Sequence, residues 1–235
     1  MIAFRDVSYA YEVGNPVLDG IQVELANGLN LLLGPNGCGK STLLKLASGV
    51  EKPDAGSVLV DGRDLWREEI EARQRIAYLP EHPDLTPYAT LDEIVSLVCR
   101  MRGRSQEEGR EALDFFGLQG AAHHTVRELS LGQRRRAVFA AVLIGTPEHV
   151  LLDEPLAGMD RSIKPRILAW IQEQVDRGAL VVVVSHNIEP FRESAARLVT
   201  VKEGKALSFA DLPQNPAEKL DLIDRIAQGM ALEVP

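Results

Sequence analysis

The segment Gly34-Pro-Asn-Gly-Cys-Gly-Lys-Ser-Thr42 constrains this chain more than any other. It follows an apolar run, Leu29–Leu33, that is typical of a buried strand, and it precedes Leu43–Leu46, where we expect a helix to begin. Glycines let successive backbone N–H groups turn toward an anion, and the helix adds its positive N-terminal end. The segment therefore predicts a phosphate-binding loop; the alternative is a glycine turn that only connects a strand with a helix.

This loop predicts a site for a nucleoside triphosphate, ATP or GTP. Lys40 would reach the outer phosphates, and the hydroxyl of Ser41 would bind Mg²⁺. The other residues of the loop that we expect to surround the phosphates are Asn36, Gly37, Cys38, Gly39 and Thr42.

The composition limits the class of protein. The 235 residues are 45% hydrophobic, which suits one large α/β domain or one domain with an insertion. No apolar run approaches the roughly 20 residues that span a bilayer, and the N-terminus does not resemble a signal peptide. Cys38 and Cys99 lack metal-binding spacing, which indicates a reducing, cytoplasmic compartment. The net charge of −8 argues against nucleic acid as a partner, and we interpret Arg134–Arg136 as a solvated or capping feature.

The order of the apolar segments indicates how the chain is organised. Several are continuous Val/Leu runs, as expected for strands covered on both faces. The predicted strands are Ile21–Leu25, Leu29–Leu33, Ser57–Val60, Ile76–Leu79, Val150–Leu152, Leu180–Val184 and Leu198–Val201. The early ones suggest a small antiparallel piece near residues 2–25 and 57–60.

Helices alone are predicted between Leu79 and Val150. Capping signals open them at Thr90, Ser105 and Ser130. Residues 82–145 therefore look like a helical insertion in a sheet-based core. Two later helices are predicted, at Asp160–Arg177 and at Ala217–Leu232, and the apolar face of the second most simply packs on the same chain.

Two strand ends carry the chemistry expected beside a triphosphate. Val150–Glu154 is an apolar strand that ends in two carboxylates: Asp153 can hold Mg²⁺, and Glu154 can orient or deprotonate the attacking water. His186 follows the strand Leu180–Val184 and is delivered to the same edge of the sheet. A strand that ends in exposed acids and a structural histidine are the alternatives for each motif taken alone.

The segment Leu129–Gln133 predicts a second anion-binding helix end. Ser130 caps the helix, so its free N–H groups, its hydroxyl and the helix dipole are presented together. Because the chain has a single phosphate loop, two copies meeting head to tail would explain both features. The alternative is an ordinary capping box formed by Ser130 and Gln133.

Taken in order, these motifs resemble the ATP-binding subunit of ABC transporters over about residues 1–205. Gly34–Thr42 is similar to the Walker A motif, Val150–Glu154 to Walker B, Leu129–Gln133 to the signature motif and Ala157–Asp160 to the D-loop. His186 falls on the family's switch histidine. Tyr11 occupies the place of the aromatic residue that stacks on adenine, with Tyr9 as the near alternative and a packed strand tyrosine as a third reading.

The resemblance implies an α/β fold: a P-loop NTPase (RecA-like) core with a mainly parallel sheet, a small antiparallel β subdomain and an inserted helical subdomain. We expect one domain, 1–235, with core and β subdomain in 1–81 and 146–205. The helical signature subdomain would be 82–145, and a C-terminal helical tail 206–235.

The chain departs from the family's pattern at two places. Leu131 replaces the first glycine of the signature, whereas Ser130 and Gly132 remain. Glu81 stands where the family has the glutamine of the Q-loop, and its carboxylate can still bind Mg²⁺. The segment Tyr78-Leu-Pro-Glu81 is similar to that of small export-type ATPases.

The resemblance implies ATP hydrolysis that powers transport by a separate integral-membrane permease. Glu154, His186 and Lys40 would be catalytic, and Ser41, Asp153 and Glu81 would hold Mg²⁺. Ser130, Gly132 and Gln133 would complete the ATP site of a second ATPase subunit in a head-to-tail dimer; we favour an identical copy, and a related subunit is the alternative. The chain would sit in the cytoplasm on the inner face of the membrane, docked through residues 82–103. The alternatives are a soluble ABC-type ATPase acting on nucleic acid and a regulatory module without useful turnover.

Overall fold

The computed structural model describes residues 1–82 and 85–227. The strands are β1 (Ile2–Tyr9), β2 (Leu18–Leu25), β3 (Gly28–Leu33), β4 (Ala55–Val60), β5 (Arg63–Asp64), β6 (Ile76–Leu79), β7 (His149–Asp153), β8 (Leu180–Val184), β9 (Ala195–Lys202) and β10 (Lys205–Phe209). The α-helices are α1 (Lys40–Ser48), α2 (Glu69–Arg73), α3 (Leu91–Met101), α4 (Gln106–Phe115), α5 (Leu131–Leu143), α6 (Lys164–Asp176) and α7 (Pro216–Ala227).

A six-stranded, mostly parallel sheet forms the centre of the molecule. Its strand order is β10-β9-β3-β8-β7-β6, and every neighbouring pair is parallel except β9 with β10. The residues of β7 and β8 are all buried, because helices and the second sheet cover both faces. This confirms the predicted α/β class with a mainly parallel sheet.

A smaller antiparallel sheet packs on one face of the central sheet. Its order is β2-β1-β4-β5. Its apolar side chains share a core with α1 and with central-sheet residues such as Leu151 and Val182. The antiparallel piece predicted from residues 2–25 and 57–60 is therefore confirmed.

The helices α3, α4 and α5 follow β6 and precede β7, as predicted. Thr90 forms the expected capping box, Ser130 and Gln133 form the one considered as an alternative, and the side chain of Ser105 accepts from the N–H of Glu108. These helices pack on the face of the central sheet opposite the antiparallel sheet, where they form a second hydrophobic core with it. The proposed division of the chain into subdomains stays a prediction.

One predicted helix boundary needs correction, and several short elements were not predicted. The helix predicted from Asp160 begins at Lys164, because the preceding residues turn and Pro165 fits the first helical turn. The strand β10 was not expected; it is short, half-exposed and at the sheet edge, so it carries little apolar pattern. The short helix α2 was also missed.

The C-terminal helix packs on its own chain, as expected. Ile223 and Ile226 of α7 are buried in the core on the helical side of the central sheet. Residues 228–232 of the predicted helix, and the rest of the predicted tail to 235, lie outside the described residues.

A charged network joins the two sheets at the end of the molecule opposite the carboxyl ends of the parallel strands. Asp61, in the turn after β4, accepts from His149 Nε2 at 2.8 Å and pairs with Arg75 at 3.3 Å and with the amine of Met1 at 2.5 Å. Burial raises the pKa of Asp61, but the hydrogen bonds from the amine and His149 outweigh it and lower the pKa to about 2.

We therefore expect Asp61→Asn to remove an acid-sensitive part of the stability. A carboxylate with a lowered pKa stabilises the fold above its unfolded pKa of 3.8, and this contribution is lost as the pH falls toward 2. At pH 7 the variant should be less stable by about 2 kcal/mol, and the difference should fall to under about 0.5 kcal/mol near pH 2, the folded pKa. Urea unfolding between pH 2 and 7 measures it. Asp221→Asn, which breaks an exposed pair with Arg225, is the control and should cost under about 1 kcal/mol at every pH. A difference for Asp61→Asn that does not change with pH would contradict the assignment.

Candidate functional site

The site lies where four parallel strands end side by side. The strands β6, β7, β8 and β3 are neighbours in register, with Asp153 opposite Val184 and Leu31 opposite Val183. Their carboxyl ends lead into Glu81, the Asp153–Glu154 pair, His186 and the glycine-rich loop. Ligands of open α/β sheets bind at this edge.

These strand ends surround a cleft of about 540 Å³. The predicted site residues that line it are Tyr11, Asn36, Gly37, Gly39, Lys40, Ser41, Thr42, Glu81, Asp153, Glu154 and His186. Val17 and Val184 add apolar lining. The structure therefore brings together almost all of the residues that the sequence assigned to one copy of the site.

The glycine-rich loop needs glycine at two positions where the chain turns. Gly34 has φ +139°, and a Cβ there would lie 2.7 Å from the carbonyl oxygen of Val201. Gly39 has φ +109°, and a Cβ there would lie 2.9 Å from Leu18 Cδ2. Left-handed backbone and close packing thus both exclude a side chain.

The loop leads into the exposed N-terminus of α1. Gly39 is the N-cap residue, and no side chain in the described part of the chain caps this helix. The N–H groups of its first turn, with the positive end of the helix dipole, are directed at the loop. This arrangement is suited to binding phosphate.

Lys40 is folded back onto the loop. Its ammonium group donates to the carbonyl oxygens of Gly34 and Pro35, at 2.8 Å each. To bind a phosphate it would exchange these hydrogen bonds for phosphate oxygens. The side chain of Cys38 instead packs against the core beneath the loop, so only its backbone can contribute to the cleft.

The carboxylate of Glu154 is held by the end of β8. Its Oε1 accepts from the backbone N–H of His186 at 2.6 Å, and its Oε2 accepts from the hydroxyl of Ser185 at 3.2 Å. Glu154 is 7% exposed and has φ +52°, a left-handed backbone that a residue with a side chain seldom adopts. The imidazole of His186 is exposed, with Nε2 3.8 Å from Glu154 Oε1.

Asp153 lies deeper and shares the cleft with other acids. It is 2% exposed and lines the cleft together with Ser41. Burial and the nearby carboxylates of Glu81 and Glu154 raise the pKa of Asp153. A cation in this cleft would relieve that crowding, and one hydroxyl with two carboxylates is an oxygen donor set that suits Mg²⁺.

Tyr11, and not Tyr9, faces the cleft. Tyr11 is 52% exposed and its hydroxyl lies 3.3 Å from Thr42 Oγ1 and 3.3 Å from Lys45 Nζ. Tyr9 is buried in the core, with its ring edge-on to Tyr11 at 5.0 Å. The geometry therefore favours Tyr11 as the candidate adenine contact.

Ser130, Gly132 and Gln133 stand apart from this cleft. The N–H of Gln133 donates to Ser130 Oγ at 3.2 Å, and the N–H of Ser130 donates to Gln133 Oε1 at 2.9 Å. The capping box considered from the sequence is thus present. It leaves the N-terminal turn of α5 at the surface, where Leu131 is 77% exposed.

Three groups at the site were missed from the sequence. Ser185 binds Glu154, Lys45 contacts Tyr11, and Arg135 donates to backbone carbonyls beside the cleft, including that of Glu154. Arg135 belongs to the triplet interpreted as solvated or capping, and it is in fact half-buried. No local pattern separates Arg135 from Arg134 and Arg136, because its partners lie far away along the chain.

Comparison with known proteins identifies the family. The ABC transporter family model matches residues 18–157. The energy-coupling factor transporter ATP-binding protein EcfA of Methanothermobacter thermautotrophicus is 32% identical over 88% of this chain and 70% of its own length. The Nod factor export ATP-binding protein I of Burkholderia thailandensis is 31% identical over 88% of this chain and 69% of its own length.

A solved structure agrees with this assignment. It is the dimeric, post-hydrolysis state of the ATP-binding cassette MJ0796 bound to ADP and Pi, with a TM-score of 0.79 and 25% identity, covering 89% of this chain and 98% of that one. The chain belongs to the ABC transporter family and has its P-loop NTPase fold. It is an ATP-binding and ATP-hydrolysing subunit of the transporter class, which confirms the prediction from the motifs.

Gly34→Ala should destabilise the protein by about 2–4 kcal/mol, because the new methyl group would meet a backbone carbonyl as well as an unfavourable φ. Gly37→Ala is the matched control: Gly37 has φ +77°, but a Cβ there meets nothing within 4 Å. It should cost about 1 kcal/mol. Thermal unfolding of both variants measures the difference, and equal losses would show that the contact with Val201 is unimportant.

Proposed function

We propose that this chain binds ATP with Mg²⁺ in the cleft above the sheet edge and hydrolyses it as part of a head-to-tail dimer. The observation that carries this proposal is the placement of Asp153 and Glu154 opposite the loop that holds Lys40, all in one cleft. The loop and α1 provide anion binding, and the carboxylates provide metal and proton chemistry.

Each group in the cleft has a separate proposed role. Lys40 and the N–H groups of α1 hold the phosphates, and Tyr11 covers the base. Ser41, Asp153 and Glu81 would hold Mg²⁺, which when bound offsets charge on the phosphate oxygens. The carboxylate of Glu154 accepts the proton of the attacking water. The exposed imidazole of His186, with Nε2 3.8 Å from Glu154 Oε1, lines the same cleft and would contact the outermost phosphate.

A second copy would complete the site. Ser130, Gly132 and Gln133 present a helix N-terminus that does not reach the cleft of their own chain, so a partner cleft is its proposed target. The likeness to the dimeric cassette MJ0796 supports this arrangement. Binding energy of ATP would then shift an equilibrium between separate and closed copies.

The permease would dock beside the helical region, which would place the chain at the inner face of the cell membrane. Of residues 82–103, the structure describes all but 83 and 84. Tyr88, Leu97 and Met101 are exposed apolar side chains there, and Leu97 and Met101 are four residues apart on α3. Within the described residues no helix is long and apolar enough to span a membrane. Export as the direction stays a prediction from the Tyr78–Glu81 segment.

Glu154→Gln tests the assignment of the base. We expect ATP to bind with an unchanged dissociation constant, since the loop is untouched, and turnover to fall at least about 100-fold because the amide cannot take the proton. Closed dimers should accumulate with ATP, as size-exclusion chromatography can show. Glu173→Gln, on the exposed face of α6, is the control. An unchanged rate of phosphate release in Glu154→Gln would contradict the assignment of Glu154 as the general base.

Leu97→Asp tests the docking face. The charge should weaken the apolar contact and release the protein from membranes that contain its permease, while ATPase activity without membranes stays within about twofold. Leu207→Asp, at an equally exposed position on β10, should leave membrane binding intact. Sedimentation with membranes measures both. Equal retention of the two variants would place the docking surface elsewhere.

A further inference from the structure

Arg135 links helix α5 to the ends of two central strands. Its guanidinium donates to the backbone carbonyls of Glu81 and Glu154, and to that of Asp153 at 3.5 Å. Glu81 follows β6, whereas Asp153 ends β7. One side chain of α5 therefore contacts both acidic segments of the cleft from behind.

Its neighbours in the triplet do not do this. Arg134 donates to the carbonyls of Leu129 at 3.1 Å and Arg127 at 3.2 Å, within its own segment. Arg136 contacts the carbonyl of Phe116 and pairs with Asp160 at 3.6 Å. The connection to the cleft is thus particular to position 135, and Arg134 offers a matched comparison.

The contact falls on a strained residue. Glu154 has the left-handed φ of +52°, and such a backbone persists only where its surroundings hold it. The guanidinium holds the carbonyl of Glu154, while Ser185 and the N–H of His186 hold its carboxylate. The stem of Arg135 is covered by Gly158, where a Cβ would lie 3.7 Å from Arg135 Cδ.

The guanidinium is also costly to place there. Burial lowers the pKa of Arg135, and the carboxylates of Glu154, Glu81 and Asp153 act in the opposite direction. Its Nε is buried without a hydrogen-bond partner among the described residues. Stability alone is a weak reason for a half-buried charge, since an apolar side chain often serves as well.

We infer that Arg135 is a positioning residue that couples the first turn of α5 to the carboxylate of Glu154. Ser130 caps α5 five residues earlier, about 7.5 Å along the helix axis. When Ser130–Gln133 engage the partner's nucleotide, α5 shifts relative to the sheet and Arg135 moves the Glu154 backbone with it. The position of the Glu154 carboxylate in each copy thereby depends on the nucleotide bound in the other copy's cleft. This inference rests on the proposed function.

Arg135→Met removes the donors and keeps most of the stem. We expect kcat to fall at least about tenfold, because a small displacement of the Glu154 carboxylate from the attacking water slows proton transfer. KM and the dissociation constant for ATP should stay within about twofold. Arg135→Lys, which keeps a cation with fewer donors, should fall between Arg135→Met and the wild type. Arg134→Met is the control and should keep kcat within about twofold.

A double-mutant cycle with Ser130→Ala tests the coupling itself. If Arg135 carries the effect of the Ser130 turn, Ser130→Ala should lower kcat by a much smaller factor in the Arg135→Met protein than in the wild type. Equal factors in both proteins would overturn the coupling, and a wild-type kcat in Arg135→Met would overturn the positioning role.

Thermal unfolding is followed in parallel; if Arg135→Met does not fold, the cycle is run on Arg135→Lys with the same criterion. The proposed function is tested separately: the wild-type protein should hydrolyse ATP, and Glu154→Gln should abolish this turnover. If both results are obtained, the proposed function holds even where the coupling through Arg135 fails.

Discussion

The parallel register of four central strands is the constraint on which the site depends. Since β6, β7, β8 and β3 run in the same direction, their carboxyl ends meet at one edge, and each contributes a different group. A slip of one residue between β7 and β8 would turn every side chain of the moved strand to the opposite face. The buried Val and Leu residues that fix this register, such as Leu152 beside Val183, therefore position the proposed catalytic groups from within the core.

The same edge concentrates negative charge that the fold itself only partly balances. Glu81, Asp153 and Glu154 line one cleft, and the raised pKa of Asp153 follows from its burial and from their proximity. Lys40 is turned to the loop carbonyls, and Arg135 contacts backbone oxygens rather than the carboxylates. A divalent cation with a triphosphate would satisfy both sides at once, since the cation relieves the acids and the phosphates take up Lys40 and the end of α1.

Local signals found much of this from sequence, and the failures have physical causes. The caps at Thr90 and Ser130 and the buried run Leu180–Val184 depend on nearby residues, so pattern alone predicted them. The residues predicted for one copy of the site lie in one cleft because the segments that carry them follow strand ends. Arg135 was missed because its partners are 18 to 54 residues away in sequence, across a helix-to-sheet contact that no local pattern reports. The strand β10 was missed because it depends on β9 for pairing and buries little.

The N-terminus of α5 shows how local rules can be satisfied and still leave something unexplained. The capping box of Ser130 and Gln133 meets the needs of a single helix. It does not explain Gly132, which weakens a helix by about 1 kcal/mol relative to Ala and has no neighbour within 4 Å that a Cβ would meet. Nor does it explain Leu131, an apolar side chain that is 77% exposed. A glycine that allows close approach and an apolar residue that needs cover are both accounted for if a second molecule packs on this turn. Departures from local preference of this kind are expected at functional surfaces, so they favour a role for the turn beyond its own chain.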